Sequence, residues 1–210
     1  MGRPRHWQLS ASSIACFKTC PFQYFLHYIK GIRKAEEPDH FRYGTNWHKV
    51  MEIISLPPGG KCVCVDNNEC VICSGYGFVP DDIMTAVIHV IDDAYSKIPG
   101  SMDEEKWAVE RVKLLYAASA YNWYYADKLL VPIMTEYKFD SPIYNKNGRA
   151  VPNVKIVGVI DKIAMVDGCR SVVEYKTTSS PIDSGSRYWN HLNLDTQTTL
   201  YLYIVRSLRN

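Results

Sequence analysis

The run VKIVGVIDKIAMV-DG-CRSVVEYKTT, from Val154 to Thr178, limits the folds open to this 210-residue chain more than any other segment. Asp167-Gly168 is the dipeptide favoured in two-residue type I′ hairpin turns. A turn there sets Val166 opposite Cys169 and, further out, Asp161 opposite Glu174. Directly opposed residues have Cβ atoms about 4.5–5.5 Å apart. Side chains alternate along a strand, so Lys176 shares a face with Glu174. Opposed like charges destabilise a strand pair unless a cation lies between them. The hairpin therefore predicts a metal site; the competing reading is a surface ion pair on a solvent-facing strand.

Elsewhere the pattern is helical before the hairpin and again after it. Ser10 caps a first helix with Ile14 and Phe17 among its apolar residues. Pro21 begins the next, with Phe22, Phe25, Leu26 and Ile29 at helical spacing, and Gly31 stops it. Residues 43–55 predict a helix turning Trp47, Val50, Met51 and Ile54 to the core, with His48 beside that stripe. Asp81-Asp82 opens an amphipathic helix through Ile83, Val87, Val90 and Ile91. A longer helix is expected over 103–130, with strands over 133–144, 154–166 and 171–178. Asn147-Gly148 joins the first two strands as an antiparallel meander. A final helix over 195–208 puts Gln197 and Tyr201 on one face.

Taken together, the motifs resemble the PD-(D/E)XK nuclease superfamily and, within it, the RecB-like exonuclease branch. Gly158-Val159-Ile160-Asp161 matches that branch's Gly-x-x-Asp, and Glu174-Tyr175-Lys176 its Glu-x-Lys core. Gly44-Thr45-Asn46-Trp47-His48 matches the upstream helix with its metal-binding His. Gln197-Thr198-Thr199-Leu200-Tyr201 matches the downstream Gln-x-x-x-Tyr helix, and Ser10-Ala11-Ser12 with Cys20-Pro21-Phe22-Gln23-Tyr24 matches the family's opening. An isolated Glu-x-Lys carries almost no information; these motifs in this order carry much more. The resemblance implies an α/β (α+β) restriction-endonuclease-like core, with a central mixed sheet and antiparallel meander flanked by helices. It covers residues 9–205 of a single nuclease domain spanning 1–210, interrupted by one insertion.

The resemblance also implies a chemistry. Phosphodiester hydrolysis needs an activated water and cations to neutralise charge developing on phosphate. Asp161 and Glu174 are hard oxygen ligands suited to Mg²⁺ or Mn²⁺. The Tyr175 backbone carbonyl and His48 complete the ligand set that the family implies. Lys176 holds or deprotonates the attacking water, or stabilises the transition state. Gln197 and Tyr201 position substrate or catalytic groups; the alternative is that they cap and pack. Glu136 either orients Lys176, serves a second metal, or stands on an exposed strand. Lys162 stands where many relatives carry Arg. Trp123-Tyr124-Tyr125 is expected to pack in the core, with base stacking as the alternative.

Cys62, Cys64, Cys70 and Cys73 form a separate pattern, C-x-C followed by C-x-x-C, with Gly75 and Gly77 closing the second half. Four thiolates can close a tetrahedral zinc site, with glycines letting the backbone turn around sulfur. Reduced thiols in a loop and an iron–sulfur cluster are the alternatives. Prolines and glycines bound the segment, which makes residues 57–80 an inserted zinc knuckle apart from the nuclease centre. Some relatives hold an iron–sulfur cluster with one N-terminal cysteine and three after the Gln-Tyr helix. Cys169 is the last cysteine here, so that arrangement is not expected. Cys16, Cys20 and Cys169 are expected to be buried as small apolar groups.

At 47% hydrophobic content the chain can bury one core and a small appendage. No apolar run is long enough to span a bilayer, and the opening MGRPRHWQLS lacks the apolar stretch of a secretory signal. The expected setting is the cytoplasm of a bacterial or phage-infected cell. A net charge of +2 is compatible with nucleic-acid binding without arguing for it. The expected activity is thus Mg/Mn-dependent DNA hydrolysis, by an exonuclease of recombination, repair or phage replication, with DNA and a recombination or replication protein as partners. A nuclease of CRISPR adaptation and a non-catalytic DNA-binding module on the same fold are the alternatives.

Overall fold

Strand β3 (Ala150–Val166) is the axis of the sheet, and three other strands pair with it. Along one edge runs β2 (Val131–Tyr144), antiparallel, from Val131 opposite Met165 to Tyr144 opposite Ala150. The other edge is shared. β1 (Trp7–Leu9) pairs in parallel with Val154 to Ile156, and β4 (Cys169–Val173) pairs antiparallel with Lys162 to Val166. Between these two partners no described strand pairs with the β3 edge, and Asp161 stands in that fork. The computed structural model describes residues 7–33, 39–62, 64, 70–100, 102–126, 131–192 and 195–207.

The hairpin has the expected turn and register. Asp167 and Gly168 have φ of 49° and 76°, the paired positive values that a type I′ turn requires. Val166 pairs with Cys169 and Lys162 with Val173, so Asp161 and Glu174 occupy the next position in register. The strand does not continue to residue 178, however. The Tyr175 N–H donates to Asp161 Oδ2 at 2.9 Å, so a carboxylate takes the bond that a strand partner would otherwise take. β4 therefore ends at Val173.

Helix α1 (Ala11–Thr19) starts at a capping box. The Ser13 N–H donates to Ser10 Oγ at 3.1 Å, and the Ser10 N–H donates to Ser13 Oγ at 2.9 Å. α2 (Pro21–Tyr24) follows and widens into a π-helical turn over Phe25–Ile29, where one continuous α-helix was expected. Gly31, at φ 72°, reverses the chain, with the Ile32 N–H bonded back to the Leu26 carbonyl at 2.9 Å. α3 (Asp39–Ile54), α4 (Ile83–Ala94) and α5 (Glu104–Tyr125) come next. The long helix thus stops short of the expected end, and residues 127–130 lie outside the described residues. α6 (Arg187–Leu192) and β1 were not expected; α7 (Thr196–Ser207) was. Residue 208, the expected end of that last helix, lies outside the described residues.

Two apolar clusters form either side of the fork. One joins Val50 and Met51 of α3 to Val87 and Ile91 of α4, Leu114 and Ala118 of α5, and Tyr175. The other joins Ile156, Ile160 and Ile163 of β3 to Tyr201, Ile204 and Val205 of α7, with Phe139 of β2. Several expectations about burial are corrected. Trp123 is 80% exposed and Tyr124 55%, so that triplet is not core. Cys169 is exposed beside the hairpin turn, while Cys16 and Cys20 are only half-buried. Cys20 has another use: its Sγ accepts the Gln23 N–H at 3.4 Å and caps α2. Phe17, Phe22 and Phe25 are also exposed, although their spacing reads as a core stripe. No described helix is long and apolar enough to cross a membrane.

Candidate active site

The Glu-x-Lys segment leaves the sheet in extended steps, so its side chains part to opposite sides. Tyr175 points into the helical cluster, where its ring meets Tyr121 edge-on with centroids 5.9 Å apart. Glu174 and Lys176 face the other way, toward α7. There Lys176 Nζ donates to Glu174 Oε1 at 2.6 Å and to Gln197 Oε1 at 2.7 Å. The Gln197 amide donates in turn to Glu174 Oε1 at 2.7 Å and to the Tyr201 hydroxyl at 2.8 Å. The Tyr201 hydroxyl donates to the Val159 carbonyl at 2.5 Å, which ties this network to β3 two residues before Asp161. Burial, above all, pushes the Tyr201 phenol up to about 12, so it stays a neutral donor. Gln197 and Tyr201, four apart on α7, act here as one clamp.

Asp161 faces α3 as well. Its Oδ1 lies 3.2 Å from His48 Nδ1, while Oδ2 is held by the Tyr175 N–H. The hydrogen bond to Asp161 raises the His48 pKa above its ordinary 6.5, outweighing the opposing effect of burial. Glu174 is also raised. Burial dominates there and overcomes the Lys176 ammonium at 2.6 Å, with the charge of Asp161 adding to the rise. These directions describe carboxylates crowded into a partly dry fork.

His48, Asp161, Tyr175 and Lys176 line one cavity of about 590 Å³ together with Glu52, Glu136 and Thr177. Glu52 was missed in the sequence, although a carboxylate four residues after His48 must share its helix face. Glu136 stands on β2 between the positions paired with Lys162 and Ile160, level with Asp161. Its φ of 46° is unusual for a residue with a Cβ, a strain of the kind that collects at functional sites. Burial raises its pKa, with the charges of Glu52 and Asp161 contributing further. A larger groove of about 1120 Å³ adjoins at Thr177 and runs along α5 past Lys106 and Glu110. His48, Glu52, Glu136, Asp161 and Lys176 line the smaller one, while Glu174 lines a separate pocket of about 350 Å³ with Tyr201 and Val205. Lys162, by contrast, is only 5% exposed and lies opposite Val173, away from any position open to solvent phosphate.

A divalent cation fits this constellation. Glu174 Oε1 accepts from both Lys176 and Gln197, whereas Oε2 is buried with no hydrogen-bond partner. An unpartnered buried carboxylate oxygen is costly, about 1–3 kcal/mol or more, unless something positive meets it. The Asp161 and Glu174 carboxylates supply hard oxygen donors, and His48 supplies a nitrogen beside them.

The cysteines form a second, separate cluster. All four Sγ atoms of Cys62, Cys64, Cys70 and Cys73 lie within 4.8 Å of one another. The Cys64–Cys73 pair is at 3.4 Å and the Cys62–Cys70 pair at 3.8 Å. Tetrahedral zinc with sulfur at about 2.3 Å requires sulfurs about 3.8 Å apart. Gly75 and Gly77, at φ 86° and 78°, turn the chain around Cys73. Burial pushes the Cys73 thiol up, but bonds from the backbone of Gly77 and from neighbouring thiols outweigh it and bring it to about 6. One thiol already disposed to ionise suits a metal, because the thiolate is the ligand. The cluster sits between α3 and α4, where the insertion was expected.

A family model described as the PD-(D/E)XK nuclease superfamily matches residues 8–210. No curated protein and no solved structure matches the chain.

Proposed function

We propose that this chain, which belongs to the PD-(D/E)XK nuclease superfamily, is a Mg²⁺- or Mn²⁺-dependent deoxyribonuclease of the RecB-like branch that digests DNA from ends. The observation that carries the metal-dependent reading is the fork in the sheet. Two strands part on the β3 edge and leave Asp161 and Glu174 crowded beside His48 and Lys176, with one buried carboxylate oxygen unpartnered. The exonuclease reading rests on the order of the motifs around that fork.

In this reading Asp161, Glu174, His48 and the Tyr175 carbonyl hold the catalytic ion. When bound, it neutralises charge on the scissile phosphate and lowers the pKa of water. Lys176, fixed by Glu174 and Gln197, presents an ammonium where negative charge develops and where the attacking water is held. Gln197 is a positioning residue, because it touches both Glu174 and Lys176 and is anchored by Tyr201. The cysteine cluster holds structural zinc and stiffens the link between α3, which carries His48, and α4.

Cleavage of end-labelled linear DNA beside closed circular DNA tests this directly, with Asp161→Ala as control. Metal-dependent loss of linear DNA that spares circles and disappears in the variant is the expected result. Cutting of circles would make the enzyme an endonuclease, and cleavage unchanged in Asp161→Ala would overturn the assignment of the site.

A further inference from the structure

The N-terminal helices hold aromatic surface that the cores do not use. α2 and the π-helical turn bury no residue, yet carry Phe22, Tyr24, Phe25 and Tyr28. Phe22 is 68% exposed, Phe25 42%, and Phe17 on α1 53%. The rings are nonetheless ordered against one another. Tyr24 and Tyr28 stack with centroids 5.3 Å apart and planes 26° apart, and Phe17 meets Tyr24 edge-on at 5.5 Å.

Cations stand over the same rings. Lys30 Nζ is 5.4 Å from the centre of Phe25, and the Arg33 guanidinium is 5.4 Å from the centre of Tyr28. The charge of the whole chain is concentrated here. The first 35 residues contain six Lys or Arg and no Asp or Glu, which leaves 18 basic against 22 acidic residues in the remainder. A protein near neutrality overall thus has one strongly positive, ring-bearing segment.

Lys18, Lys30 and Arg33 are the Lys and Arg side chains of that segment among the described residues, and its first helix reaches α7. α1 packs on α7, and Lys18 Nζ donates to Thr196 Oγ1 at 3.0 Å. The next residue, Gln197, clamps Glu174 and Lys176. Lys18 follows Phe17, whose ring meets Tyr24, so the ring cluster and the Gln197 clamp are joined through α1 and α7.

We propose that this surface is a stacking platform for the unpaired bases of single-stranded nucleic acid, which it feeds to the site described above; the proposal rests on the nuclease reading of that site. Exposed rings accept the face of any base, and interleaved Lys and Arg take the phosphates. A duplex keeps its base faces hidden in the stack, so the platform discriminates in favour of single strands. An acidic protein partner would satisfy the cations but leave the aromatic faces without planar groups to meet.

The test is binding of a fluorescein-labelled twenty-nucleotide oligothymidine and of a blunt duplex of the same length. The full-length chain is used, in buffer with neither added divalent cation nor chelator. Phe22→Ala with Phe25→Ala is expected to weaken oligothymidine binding about tenfold while changing duplex binding less than twofold. Lys30→Ala is expected to weaken oligothymidine binding and flatten its salt dependence. Unchanged oligothymidine binding in the aromatic variant, or equal loss for both probes, would overturn the proposal. So would sedimentation showing a wild-type dimer that the aromatic variant abolishes, since the rings would then serve self-association. Binding without turnover is independent of catalysis. Loss of the platform effect with Asp161-dependent cleavage intact sinks only this proposal; the reverse pattern sinks only the nuclease reading.

Discussion

Glu174 has two oxygens in unlike surroundings, and the difference argues for a cation. Oε1 collects an ammonium and an amide, while Oε2 is buried with nothing to meet it. Lys176 is the other half of that arrangement. Lys176→Ala is expected to lower the turnover number by about 10²–10⁴-fold, checked by single-turnover cleavage, with the far-ultraviolet spectrum unchanged. The raised groups give a signed pH dependence. His48 and Glu174 both hold their protons to higher pH than usual, and both must lose them to bind metal. Mn²⁺ affinity and cleavage should therefore fall as pH drops through a region above histidine's ordinary 6.5. In His48→Gln that limb should move to lower pH, as a cleavage pH profile will show. Asp161, Glu174 and Lys176 were legible because alternation and a two-residue turn fix strand register. Glu52 was not read, although its spacing of four from His48 puts it on the same helix face. The burial of Lys162 was not legible, because it depends on packing across strands.

At the level of elements, the pairing of β2 with β3 explains the glycine of the Gly-x-x-Asp motif. A Cβ built on Gly158 would lie 2.6 Å from Phe139 Cζ, and the Phe139 ring packs edge-on to Tyr201 with centroids 6.0 Å apart. The absent side chain lets Phe139 lie across β3 and brace the tyrosine that anchors Gln197. Gly158→Ala should cost about 1–3 kcal/mol in a denaturant titration, because the clash is with a ring inside a packed cluster. Activity should fall further than stability alone explains, through Gln197. The cysteine knuckle makes a second prediction. Elemental analysis of purified protein should give one zinc per chain, and Cys73→Ser should lose that metal and lower the melting temperature. Retained zinc in that variant would contradict the four-thiolate site. The knuckle was legible as spacing, and the hairpin as turn chemistry. The end of β4 at Val173 was not, because a side-chain carboxylate replaces a backbone partner there. The π-helical turn after α2 was not legible either, since its apolar spacing is that of an ordinary helix.

Over the whole molecule, the site lies where the two apolar clusters meet. The helical cluster anchors Tyr175 and the α3 face bearing His48, while the sheet–α7 cluster anchors Tyr201. Each cluster thus fixes one side of the fork: the helical one holds the face bearing His48, and the sheet–α7 one holds Glu174 and Lys176 through Tyr201 and Gln197. The fold class followed from the motif order, and the structure has the mixed sheet and flanking helices expected of it. What the motifs did not reveal was the division of the core, nor that aromatic stripes on the N-terminal helices face solvent. Apolar spacing locates a stripe but does not say what covers it. The most direct test of the account is cleavage of linear DNA across a Mn²⁺ titration, by the wild-type chain and by Glu174→Gln. The expected result is metal-dependent hydrolysis that falls by at least about 10²-fold in the variant while folding is preserved. Equal cleavage by the two proteins, or cleavage that needs no divalent metal, would contradict it.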